Sequence, residues 1–197
     1  ISRAQKKKLI KIKVWDLRKF LRKKERVDDR PYGGGPGMVL KVEPLVAAIG
    51  KIRKPGAKII LLSAAGKQFN NRLAEDWAKK YKHIIVIAGH YEGIDARIKK
   101  IIYASGFKFQ ELSIGPYVLT GGELPAMVVV DAVLRRIPGV LGKSESLEEK
   151  RHGIGVPTYT RPEILRWNGK IYKVPKTLLS GDHKKIENWR IKHRAKD

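Results

Sequence analysis

The chain of 197 residues contains no cysteine. Disulfide staples, thiolate zinc sites and thiol nucleophiles are therefore excluded, and a reducing compartment is compatible with this without being proven by it. Long hydrophobic runs are missing too. Apolar stretches such as Ile84 to Ala88 and Pro125 to Val130 fall far short of the roughly 18 residues that would span a bilayer. The chain opens Ile1-Ser2-Arg3, with neither Met nor a signal-peptide pattern, which reads as a fragment or a late start. Acidic residues are scarce, 19 against 43 Lys and Arg, for a net charge of +24. Such an imbalance implies a polyanionic partner, nucleic acid ahead of an anionic membrane surface. A hydrophobic content of 42% still argues for a packed core.

The charge is concentrated at the two ends. Residues 1–30 carry 13 basic and 4 acidic groups, and residues 161–197 carry 11 and 4. The middle reads as a packed domain. Within it, Lys58 to Ser63 and His83 to Ala88 are continuous β-branched runs, as expected of parallel strands covered on both faces. Phe69, Leu73 and Trp77 recur every four residues between them, so a helix crosses over and the three elements form a βαβ unit. Pro44 suits the first turn of a helix from Glu43 to about Ile52. Ile10, Ile12 and Val14 alternate with lysines and predict a half-buried strand. The segment Glu123 to Ile137 predicts a helix that is apolar nearly all round, for which a subunit interface is a natural cover. Residues 142–158 read as a loop or linker, and a last helix from about Asp182 to Arg194 has Ser180 or Asp182 as its cap.

Three glycine-bearing loops carry the chemistry. The first is Asp28-Asp29-Arg30-Pro31-Tyr32-Gly33-Gly34-Gly35-Pro36-Gly37-Met38, which lacks the ending of a nucleotide P-loop. It reads equally as a flexible loop or as backbone able to approach a ligand closely. The second, Gly89-His90-Tyr91-Glu92-Gly93-Ile94-Asp95, follows an apolar strand, where open α/β sheets bind ligands. The third runs from Ser113 to Pro125, and its Gly121-Gly122 pair precedes a helix start. Arg135, four residues after Asp131, reads either as half of an intrahelical ion pair or as a site cation.

Taken together, these strings resemble the bacterial tRNA (guanine-N1)-methyltransferases, the TrmD family. Ile137-Pro138-Gly139-Val140-Leu141-Gly142, Tyr159-Thr160-Arg161-Pro162-Glu163 and Leu178-Leu179-Ser180-Gly181-Asp182-His183 extend the match in order along nearly the whole chain. The resemblance implies an α/β fold of the SPOUT type, a mostly parallel sheet flanked by helices with a deep trefoil knot, in a homodimer. It implies S-adenosylmethionine as methyl donor, Mg²⁺ as an accompanying ion, and tRNA as partner. The target would be N1 of guanosine 37, 3′ of the anticodon.

Residue by residue, the resemblance puts Leu61, Leu62, Ser63, Gly89, Tyr91, Glu92, Ile114, Gly115, Tyr117, Leu119, Gly121, Gly122 and Pro125 in the donor pocket. Asp28, Gly34, Gly35 and His90 fall near the target guanosine. Arg135 matches the catalytic arginine. The family's linker carboxylate has no clean counterpart: ungapped alignment lands on Lys150, leaving Glu149, then Glu148, as the base. His90, Ala96 and Pro116 also depart from the family's commoner residues. By domain, residues 1–142 would be the knotted catalytic part without the family's first strand, 143–158 a linker, and 159–197 a short tRNA-contacting extension. Two rival readings stay open here: an RNA-binding protein that keeps the fold without turnover, and a methyltransferase acting on another nucleotide.

Overall fold

The computed structural model describes residues 1–142, 147 and 153–195. They fall into two compact units, Ile1–Leu141 and Gly142–Asp197.

The first unit is built on a sheet of three parallel strands, β3 (Lys58–Gln68), β4 (Ile84–Ile87) and β5 (Lys108–Ser113), in the order β4-β3-β5. Helices α1 (Ser2–Lys6) and α2 (Val42–Ile52) precede it, with a two-stranded ribbon of β1 (Asp28–Asp29) and β2 (Val39–Leu40) between them. Helices α3 (Asn71–Lys80) and α4 (Arg97–Ala104) make the crossovers, and α5 (Glu123–Leu134) follows β5.

The period of two along β3 decides the layering. Ile59 and Leu61 point to one face, with Leu45 and Ile49 of α2 and Ile98 and Ile102 of α4. Ile60 and Leu62 point to the other, with Ala74 and Trp77 of α3 and Val129 and Val133 of α5. The continuous apolar run of β3 thus has the expected cause: both faces are covered. β4 is different, because it lies at the edge and alternates buried with half-buried residues. Asn70 caps α3 by accepting the Leu73 N–H (3.0 Å), and Phe69 packs against Trp77 one step outside the helix.

Two expectations need correction. Residues 10–14 form no strand: they lack a ladder neighbour among the described residues, and Val14 is 90% exposed. Alternation with lysine marks a strand only where another edge is there to pair with it. The helix read as Glu123 to Ile137 ends at Leu134, with Arg135 as its C-cap. Its apolar surplus is real, since Leu124, Met127 and Val128 stand exposed on one stripe.

In the second unit, strands β6 (Ile164–Trp167) and β7 (Lys170–Lys173) form a hairpin turned at Asn168-Gly169, both with positive φ as a tight two-residue turn requires. Helices α6 (Lys176–Leu179) and α7 (His183–His193) follow, and Asp182 caps α7 by accepting the Lys185 N–H (3.0 Å).

Candidate functional site

The carboxyl ends of the three parallel strands open into one cleft of about 440 Å³, within the size range of small-molecule sites. β3 supplies its wall through an excursion. Leu62 pairs with Leu112, then Lys67 pairs with Leu112 again, so residues 63–66 bulge out of the ladder. Gly66 makes that return, and a Cβ there would strike the Leu112 backbone. The other walls are the loop after β4, from Gly89 to Ile94, and the loop from Ile114 to Gly122.

The loops are stitched to one another by main chain. The Gly122 N–H donates to the Gly89 carbonyl at 2.7 Å, and His90 bridges Gly121. A Cβ on Gly122 would lie 2.7 Å from both the Ala88 Cα and the Gly89 nitrogen, so only glycine fits. Ser113 anchors the turn below: its hydroxyl donates to the Gly115 carbonyl (2.9 Å) and accepts the Gly115 N–H (3.2 Å). The Tyr117 ring lies over Gly115, and its hydroxyl donates to the Ile114 carbonyl (3.2 Å). From outside, β2 clasps the second loop: Glu92 donates to Met38 (3.1 Å), Leu40 to Gly93 (3.0 Å) and Asp95 to Leu40 (3.0 Å).

A model of the family described as tRNA (Guanine-1)-methyltransferase TrmD matches residues 1–197. The chain belongs to this family. A protein of Dictyoglomus turgidum named tRNA (guanine-N(1)-)-methyltransferase is 48% identical over 200 residues, covering 100% of this chain and 77% of its own. Proteins of the same name from Phytoplasma australiense (46% over 200 residues, 100% and 78%) and Carboxydothermus hydrogenoformans (45% over 196 residues, 98% and 74%) are similar in the same way.

Each residue that the TrmD resemblance assigned to the donor pocket lines this cleft, and His90 lines it with them. The other assignments are not brought there. Asp28 is buried and accepts a hydrogen bond from Arg26 (3.1 Å). Gly34 and Gly35 have positive φ and nothing near them, in an exposed loop between β1 and β2. That loop nevertheless returns to the cleft, because Gly37 lies against the Glu92 carboxylate. Arg135 does not line the cleft. It sits ten residues beyond Pro125, about 15 Å along the helix at 1.5 Å per residue. Its neighbour Arg136 has a structural part, donating to Asn71 Oδ1 (2.7 Å) and lying 3.7 Å from a Glu75 oxygen with only 3% of its side chain exposed. Glu148 and Glu149 lie outside the described residues.

Two charged residues in the cleft escaped the sequence reading. Lys99 of α4 donates to Glu111 of β5 at 2.7 Å. Burial works to raise the Glu111 pKa, yet hydrogen bonds from Lys99 and Ser63, with the Lys99 charge, outweigh it and hold the carboxyl below its ordinary range. Glu111, two residues before Ser113, was open to discovery from its place at a strand end; Lys99, on a helix twelve residues away, gave no local signal. At the mouth, His90 Nδ1 lies 3.7 Å from Glu123 Oε1, directly over Gly121.

Proposed function

We propose that this chain transfers a methyl group from S-adenosylmethionine to N1 of guanosine 37 of tRNA, 3′ of the anticodon. The observation that carries this reading is the convergence of every donor-pocket position on one cleft, in a chain of the TrmD family. The net charge of +24 suits a tRNA substrate.

The cleft fits the donor by its chemistry. Its third loop offers main-chain N–H and C=O groups beside Ile114, Leu119 and Pro125, a lining suited to a flat, polar-edged base such as adenine. When bound, S-adenosylmethionine supplies a methyl group on a positively charged sulfur for in-line displacement. The protein's share is position and charge. The walls hold the reacting atoms in line with the extruded guanine. Arg135 supplies a cation against charge growing on guanine O6. Glu149, with Glu148 behind it, accepts the N1 proton from the linker.

Arg135 reaches this chemistry in a homodimer. The exposed stripe of Leu124, Met127 and Val128 starts beside the cleft and points along α5 toward Arg135. A second copy packed against it would bury the stripe and carry an arginine to the neighbouring cleft. The second and third loops, joined by main-chain hydrogen bonds, are where the resemblance implies a trefoil knot. Residues 1–142 are read as the knotted catalytic part, 143–158 as a linker and 159–197 as a tRNA-contacting extension. For Mg²⁺, no group of three or more His, Asp or Glu among the described residues is arranged to hold a metal, so the ion has no assigned protein ligand. No helix among them is long and apolar enough to cross a membrane, and a tRNA substrate argues for the cytoplasm.

The test is transfer of labelled methyl from S-adenosylmethionine to an unmodified tRNA transcript, beside a transcript with guanosine 37 changed to adenosine. Label in the guanosine transcript alone is the expected result. Equal label in both would move the target elsewhere, and label in neither with tRNA still bound would favour an RNA-binding protein without turnover.

A further inference from the structure

The hairpin of β6 and β7 in the second unit hides neither of its faces, for every residue from Ile164 to Lys173 is exposed. Polar side chains are the ordinary choice for such a ribbon, yet Ile164, Leu165, Trp167, Ile171 and Tyr172 stand on it. The register sorts them. Leu165 pairs with Tyr172 and Trp167 with Lys170, and residues that pair, or lie two apart on one strand, share a face. One face therefore carries Leu165, Trp167, Lys170 and Tyr172. Trp167 and Tyr172 are diagonal neighbours on it, a relation that spaces residues by about 7–8 Å.

Trp167 differs from the other three tryptophans. Trp15 has Phe20 at 6.1 Å between ring centroids, Trp77 has Phe69 at 5.7 Å, and Trp189 stacks on His193 at 4.1 Å. Trp167 has no ring partner among the described residues, and it is 64% exposed where Tyr172 is 51% exposed. The charge around the two rings has one sign. From Ile164 to Gly181 the chain holds Arg166, Lys170, Lys173 and Lys176, and neither Asp nor Glu. Free aromatic faces among cations suit unpaired nucleotides, whose bases stack on the rings while the ammonium groups meet phosphate. Bases inside a stem are already stacked on both sides and have no face to offer.

We infer that this face of the hairpin stacks unpaired nucleotides of the tRNA substrate, with Trp167 and Tyr172 each taking a base and Lys170 the adjoining phosphate. The inference rests on the tRNA reading given above and deepens it, because the second unit then holds tRNA by its unstacked bases as well as by charge. Trp167, Lys170 and Tyr172 are positioning residues, since none is asked to touch the reacting atoms.

The experiment is fluorescence-anisotropy binding of three labelled RNAs to the whole chain and its variants: an unmodified tRNA transcript, a short oligoadenylate, and a fully paired duplex. Trp167→Ala should weaken tRNA and oligoadenylate by about 5- to 150-fold, the range for one stacked base. It should leave the duplex and the salt dependence unchanged. Trp167→Phe should recover most of the loss. Lys170→Gln should instead flatten the slope of log affinity against log salt by about 0.7, as for one phosphate contact on a single strand. The division guards against misfolding, because a collapsed hairpin would lose stacking and salt slope together. Equal weakening of duplex and oligoadenylate by Trp167→Ala, no recovery with Trp167→Phe, or unchanged tRNA affinity would each overturn the stacking face, the last leaving the ribbon to a protein partner. A parent chain that binds oligoadenylate but not tRNA would overturn the tRNA reading while supporting the face. A parent chain that binds no RNA would overturn both.

Discussion

Gly122 donates its amide hydrogen to the carbonyl of Gly89 across 2.7 Å, joining the start of α5 to the loop after β4. The two residues are 33 positions apart, and a methyl group on Gly122 has nowhere to go but into Ala88 and Gly89. Gly122→Ala should destabilise the protein by about 1–3 kcal/mol, as overpacking does. It should also abolish detectable S-adenosylmethionine binding. Thermal unfolding and calorimetry on the same preparation separate the two effects.

Adjacent arginines should behave in opposite ways. Arg135→Ala should act mainly on the rate, slowing methyl transfer by about 10²- to 10³-fold, the usual loss for one transition-state donor. Arg136→Ala should lower stability by about 1.5–3 kcal/mol, because the charged hydrogen bond from Arg136, just past the end of α5, to Asn71 is lost. Denaturant titration beside single-turnover kinetics would reveal a reversal of these roles.

The exposed stripe on α5 makes a separate prediction. Leu124→Glu combined with Met127→Glu places charge on residues that are 60% and 67% exposed in the single chain, so folding should survive. Sedimentation should then report a monomer, and methyl transfer should be lost while donor binding persists. A variant that sediments as the parent does would overturn the proposed homodimer contact at this stripe.

Acid should act through Glu111. Its carboxyl is held below the ordinary range in the folded chain. A depressed carboxylate contributes stability above its unfolded pKa, and loses it as pH falls through the folded value. Glu111→Gln should therefore be less stable than the parent at neutral pH, and the gap should close as pH drops below about 4. Urea titrations at pH 7 and pH 3 would measure the closing.

Charge reversal at Lys184, Lys192 and Arg194, all exposed at the end of the second unit, should weaken tRNA binding. The slope of log affinity against log salt should flatten by about 0.7–0.9 for each phosphate contact removed. An unchanged slope would put the tRNA surface elsewhere.

Much of this molecule was legible in its residues, and the exceptions have physical reasons. β3 and α3 were readable because burial on two faces and a four-residue repeat leave local traces. The pocket loops were readable because glycine where Cβ atoms would collide is a constraint written at single positions. The false strand at residues 10–14 shows the converse, since pairing depends on a neighbour that local alternation does not encode. The end of α5 was overrun by three residues, because Ile137 continues the apolar pattern in the sequence although the helical backbone stops at Leu134. Lys99 was invisible for a similar reason: its partner lies on another element, and nothing within α4 distinguishes it from Lys100.

The clasp between Gly89 and Gly122 consists of peptide groups alone, and this bears on inhibition. An inhibitor that engages the main chain of these two loops presents few side chains for mutation to alter. Substitution of Gly122 would displace the inhibitor only by driving a Cβ into Ala88 and Gly89 at the neighbouring strand end, damaging the enzyme with it. Resistance would have to arise at the rim, at residues such as Tyr117 or Leu119, whose side chains reach solvent. A ligand that stays within the main-chain walls and leaves the rim untouched would face the narrowest escape.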